Sequence, residues 1–200
     1  MRIERLFLSS VILVALCVPT VQAQSDSSVT GQTIQQRKKN QQDRIANGVQ
    51  SGQLTAGETK NLENKEANLN KEERQMRASD NGKLTAADRA KLNRQQNRLS
   101  NDIYQDKHNA NVAHYGNGRI GQRRENQQDR IAQGIRSGQL TPREAANLEN
   151  KEQGLNREIG SMRQENGGKL SKADKQVVNQ QQNQLSKQIY NKKHNASHGY

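Results

Sequence analysis

The sequence has no tryptophan, one cysteine, one phenylalanine and two prolines in 200 residues. Cys17 and Phe7 both fall among the first two dozen residues, so the remainder has neither disulfides nor thiolate metal ligands to hold it together. Large apolar residues are scarce as well. Leu, Ile, Val and Phe supply 24 of the 177 residues after Ala23. That fraction, about 14 %, lies below the roughly 20 % at which strongly charged chains tend towards disorder, and it excludes a large core. Catalytic patterns are missing too: no HExxH, no GxSxG, no phosphate-cradling glycine loop. With so few large residues no pKa-shifting cleft is expected, and the paired acids Glu72 and Glu73 read as solvated residues on a charged helix. An enzyme is not expected.

Arg2 and Arg5 precede an apolar run from Phe7 to Pro19, and Val21-Gln22-Ala23 has the small-residue pattern of a signal-peptidase site. Residues 1–23 are therefore expected to be a signal peptide, giving an exported protein, periplasmic or secreted. Leu16, just before Cys17, is too large for a lipobox and argues against a lipid anchor. No transmembrane helix is expected in the mature chain.

Charge of one sign is abundant. Lys and Arg number 32 against 20 Asp and Glu, a formal +12. Outside a cell membrane such a chain attracts polyanions: lipopolysaccharide, acidic polysaccharide or extracellular DNA. The basic residues are interspersed with acids and only four tyrosines are present, which predicts non-specific, salt-sensitive binding and not base recognition.

The chain is a duplication. Residues 41–110 align without a gap to 127–196, with 41 identities in 70 positions. The organisation expected is a polar tail at 24–33, a first unit at 34–110, a Gly- and Asn-rich flexible linker at 111–119, a second unit at 120–196 and a tail at 197–200. Each unit carries apolar residues at spacings of four and seven: Ile45/Val49, Leu62/Leu69/Met76 and Leu92/Leu99/Ile103, then Ile131/Ile135, Leu148/Leu155/Met162 and Val178/Leu185/Ile189. This predicts an all-α fold of two tandem three-helix units. The stripes are as narrow as coiled-coil seams, and the Gln, Asn, Lys, Arg and Glu between them read as solvated, so order is expected to draw on self-association.

"SGQLT" occurs at Ser51 and again at Ser137, and the echoes "NGKLTAAD" and "GGKLSKAD" begin at Asn81 and Gly167. Aligning Gly52, Gly82, Gly138 and Gly168 with the invariant glycine of an EF-hand puts Glu58, Asp88, Glu144 and Asp174 at the position of its bidentate ligand. The first half of each loop lacks a carboxylate at position 1, however, and offers Arg77 and Arg163 there in two loops. A helix stop followed by a capping box accounts for more. The glycines end one helix, and Thr55, Thr85, Thr141 and Ser171 begin the next with Glu or Asp three residues on. Pro142 suits the first helical turn. Gln also completes such a box, so Glu58→Gln and Glu144→Gln are expected to be tolerated.

His108 and His194 end the third helix of each unit in "KHNA", with Tyr104 and Tyr190 four residues earlier. They are expected to complement the helix dipole, with Asn109 and Asn195 as end caps, more than to bind a transition metal.

The strings "QQDRIA", "SGQLT", "GKL" and "KHNA", present twice, resemble a family of small, uncharacterised exported bacterial proteins. The loops resemble degenerate EF-hands. The first resemblance implies a bacterial envelope or secreted location and no particular activity or cofactor. The function expected is a non-enzymatic interaction protein that binds anionic polymers through basic, Gln-rich helix faces. The alternative is a weak calcium-binding protein using Glu58, Glu144, Asp88 and Asp174.

Overall fold

The computed structural model describes the backbone of residues 27–199 and the side chains of residues 34–199. The expected signal peptide lies outside the described residues. The chain is all-α. Its helices are α1 (Ser27–Gln50), α2 (Ala56–Ser79), α3 (Ala86–His108), α4 (Arg119–Ser137), α5 (Pro142–Glu165) and α6 (Lys172–Lys193). Helix α1 begins inside the stretch expected to be a polar tail. Once the turns around Gln35–Gln50 exist, extending the helix backwards costs far less than nucleating it.

The stripes predicted by spacing are inside. Ile45, Leu62, Ile103, Ile131, Leu148 and Ile189 are all within 1 % of full burial. The partners of α1, α2, α4 and α5, however, lie in large part in the other half of the chain. The most extensive packing is of α2 along α5 and of α1 along α4, each helix against its own repeat counterpart, while α3 and α6 flank their own halves. This is the arrangement of an isologous dimer within one chain. One apolar cluster runs through both halves, from Ile34, Ile45 and Leu62 to Ile131, Leu148 and Ile189. A smaller one, Leu155, Ile159 and Val178, closes the far end of the second half. The narrow seams thus find their cover within the molecule. Lys60 Nζ reaches Gln153 Oε1 at 2.8 Å, and Arg136 reaches Asn47 and Gln50, across the same divide.

Each SGQLT loop is a tight hook. In the first, the Leu54 N–H bonds back to Gly48 O at 2.9 Å and its side chain lies on that glycine, where an added Cβ would come within 2.6 Å of it. Leu140 and Gly134 repeat the arrangement. The chain reverses through Gly52 and Gly138, with φ of 71° and 70°, a region open to glycine at little cost.

The segment at 111–118 is non-helical, as its composition predicts, with Arg119 of the expected linker already in α4, yet it is tied down at several points. Ala113 N–H bonds to Gly52 O at 2.9 Å, and Arg124 donates to the carbonyls of Tyr115 and His114 at 3.1 and 3.3 Å. Gly199 in the C-terminal tail bonds to Gly138 O at 2.8 Å, the repeat equivalent of the Ala113 contact. Gly and Asn make the path of the chain accessible, but free carbonyls at the loops and the buried Arg124 fix it.

Candidate functional site

All four loops are capping boxes in geometry. Thr55, Thr85, Thr141 and Ser171 each accept from the backbone N–H three residues on, and Glu58, Asp88, Glu144 and Asp174 each accept from the cap's N–H. The Glu58 carboxylate is fully engaged. Oε2 takes the N–H and hydroxyl of Thr55 at 2.9 and 2.7 Å, and Oε1 takes Asn109 and Asn111 at 2.8 and 3.0 Å. Glu144 Oε1 likewise accepts from Asn195 at 2.6 Å, with Lys192 at 3.4 Å. The "KHNA" asparagines therefore lock the end of the third helix onto the start of the second.

Burial pushes both carboxyls up, but these donors outweigh it and hold them below the ordinary range. Among the described residues no three acids or histidines converge as a metal site. His108 and His194 instead place Nδ1 2.7 Å from the carbonyls of Tyr104 and Tyr190, and each imidazole stacks on that tyrosine with ring centroids 4.2 Å apart.

This wiring changes one expectation. A glutamine at 58 would turn an NH₂ towards donors on one side or the other, since all four partners of the carboxylate donate. Glu58→Gln is therefore expected to destabilise by about 1–3 kcal/mol, the cost of an unsatisfied partly buried group. Urea unfolding of the two proteins measures the difference.

The structure also places inside what composition suggested was solvated. Gln41, Gln42, Gln96, Gln127, Gln128 and Gln182 are buried. Gln41 Nε2 donates to Gln96 O at 2.7 Å and Gln127 Nε2 to Gln182 O at 2.8 Å; Gln96 and Gln182 donate to the carbonyls of Ile34 and Ile120. With apolar residues so few, long amides fill the interior and bind carbonyl groups there.

Glutamates are buried as well, contrary to the expectation that no pKa-shifting environment exists. Glu63 and Glu149, repeat counterparts on α2 and α5, are fully buried and within electrostatic reach of one another. Each accepts from one glutamine, Gln42 at 3.3 Å and Gln128 at 3.0 Å, and each keeps one oxygen without a partner. Burial, with neighbouring glutamates adding to it, raises both well above the ordinary carboxylate range. Burial lifts Glu66 to about 7 against the pull of Lys38, and Glu152 to about 7 against that of Arg124. Glu73 is the exception. It too is buried, but Lys38 at 2.6 Å and Arg77 at 2.9 Å keep it ionised and lowered. Of the pair expected to be solvated, only Glu72 lies towards the surface, bonded to Lys91 and Gln95.

The consequence lies on the surface. Among the described residues six glutamates are buried (Glu63, Glu66, Glu73, Glu144, Glu149 and Glu152) against two cationic side chains, Lys38 and Arg124. A groove of about 540 Å³ near the start of α4 has Arg119, Arg163, Lys169 and Lys175 in its wall and no acid. No family model, curated protein or solved structure matches this sequence. Among the described residues no helix is long and apolar enough to cross a membrane.

Proposed function

We propose that this is a non-enzymatic, exported binding protein, related to the small bacterial proteins its repeats resemble, that engages anionic polymers through its basic exterior. The observation that carries this reading is the unequal burial of charge. Among the described residues the fold withdraws four more acidic than basic groups from the surface, so the exterior is more positive than the formal charge implies. The groove walled by Arg119, Lys169 and Lys175 supplies a place where several phosphates or carboxylates of one polymer meet several cations at once. Because many of the glutamines expected to face a partner are buried, the contact rests on the lysines and arginines. Glu58 and Glu144, the ligands the calcium alternative needs most, are taken up by Thr55, Asn109 and Asn195.

The test is binding to a DNA fragment and to heparin across a salt series. Binding is expected at low salt and is lost by a few hundred millimolar. Changing Lys169 and Lys175 together to Gln should reduce the slope of log affinity against log salt by about 2, as each phosphate contact contributes about 1. An affinity indifferent to salt contradicts the proposal.

A further inference from the structure

The two halves differ at one place where the duplication has been broken. In the first half Lys38 and Arg77 converge on Glu73. Lys38 Nζ meets Oε2 at 2.6 Å, and Arg77 Nε and Nη2 meet Oε1 at 3.0 and 2.9 Å. The equivalent residues of the second half, 86 positions later, are Arg124, Arg163 and Ile159. Both cations remain and the carboxylate between them is gone.

A cavity of about 290 Å³ opens at this place. Arg124, Arg163 and Ile159 share its wall with Val112, Ala113 and Ala56. Arg124 is buried, and its guanidinium turns to the His114 and Tyr115 carbonyls while Nε stays unpartnered. No carboxylate pairs with Arg163 among the described residues; its guanidinium lies beside Gly116, in van der Waals range of a Cβ built there. Two guanidiniums near one another repel, and burial magnifies the repulsion.

Glu152 does not replace the lost partner. It attracts Arg124 just as Glu66 attracts Lys38, and Lys38 nevertheless has Glu73 in addition. Arg124 and Arg163 are therefore short of one negative charge relative to the first half.

We propose that this cavity binds a small organic carboxylate, whose carboxyl group takes the place Glu73 occupies in the first half. Its oxygens accept from Arg163 and from the Arg124 Nε, and its short apolar body lies against Ile159, Val112 and Ala113. Arginine suits the task because its planar fork matches a carboxylate in two parallel hydrogen bonds. The site shares Arg163 with the basic groove but differs from it in ligand and in its other walls.

Titration calorimetry with sodium butyrate and sodium benzoate tests this, with acetate as the ligand lacking an apolar body. Saturable one-to-one binding of butyrate or benzoate, tighter than acetate, is expected. Ile159→Glu rebuilds the first-half arrangement from within the chain, and it should weaken that binding at least tenfold while helix content is kept. Arg163→Gln, on a half-exposed side chain, should weaken it as well and guards against a misfolded Ile159→Glu. Heparin binding at low salt should survive in Ile159→Glu, because Arg119, Lys169 and Lys175 remain in the groove, so a failure here is separable from a failure of the polymer reading. No saturable binding of either acid, or undiminished binding in both variants, would overturn the proposal.

Discussion

The protein is expected to melt at a higher temperature at pH 5 than at pH 8, by on the order of 10 °C. The sign follows from the buried glutamates. Glu66 and Glu152 titrate at about 7 in the folded chain against an ordinary 4.5. Between those values the folded state holds protons that the unfolded chain has released, so stability falls as pH rises. Each group contributes about 1.4 kcal/mol per pH unit across that window. Glu63 and Glu149, raised well above the ordinary carboxylate range by burial, add to the loss in the same direction.

The depressed carboxyls act in the other direction. Glu58, Glu73 and Glu144 stabilise the fold above their unfolded values, and that contribution disappears as pH falls below about 4. The optimum accordingly lies near pH 5. Thermal melts at unit intervals of pH measure it, and the double variant Glu66→Gln with Glu152→Gln, neutral at every pH, should flatten the decline. Melting temperatures that climb from pH 5 to pH 8 would refute this account.

The second large effect concerns the shared interior. Leu62→Ala in the first half should cost about 2–5 kcal/mol, since Leu62 is fully buried and the neighbours that would have to close the gap belong to both halves. Against a total of roughly 5–15 kcal/mol this is a large share of the stability. The loss should appear equally in the other half. In native-state hydrogen exchange, the amides around Ile189 should lose as much protection as those around Ile103. Independent units would leave the second half at its parental stability. Residues 34–110 made alone are expected to remain largely unfolded, because α1 and α2 would expose the faces that α4 and α5 cover.

The sequence disclosed the helices and their ends, except the start of α1, which lies within the expected polar tail. Spacings of four and seven among Leu62, Leu69 and Met76 located the inner face of α2, and Thr55 with Glu58 located its start. These are local rules, and a single chain obeys them visibly. It did not disclose which surfaces face each other. Narrow seams fit a tandem pair or an intramolecular dimer equally well, since the pairing of α2 with α5 is made by residues 86 positions apart. Nor did it disclose the buried acids. Glu63 and Glu66 have the look of ordinary solvated helix formers, and only their position relative to α5 makes them interior groups. One signal was present: "NLENKE" recurs unchanged in both halves while "KEERQ" becomes "REIGS". Identity of charged residues between copies marked the interior, and the change of Glu73 to Ile159 marked the place where the halves diverge.

The account stands on acids being held inside the molecule, since their withdrawal both sets the stability profile and leaves the exterior basic. Carbon-detected NMR titration of the glutamate side chains measures this directly. Glu66 and Glu152 should titrate with midpoints near 7, and Glu63 and Glu149 well above the ordinary carboxylate range. Ordinary midpoints of about 4.3 for all four would mean that these carboxyls are solvated and that the shared interior does not exist as described.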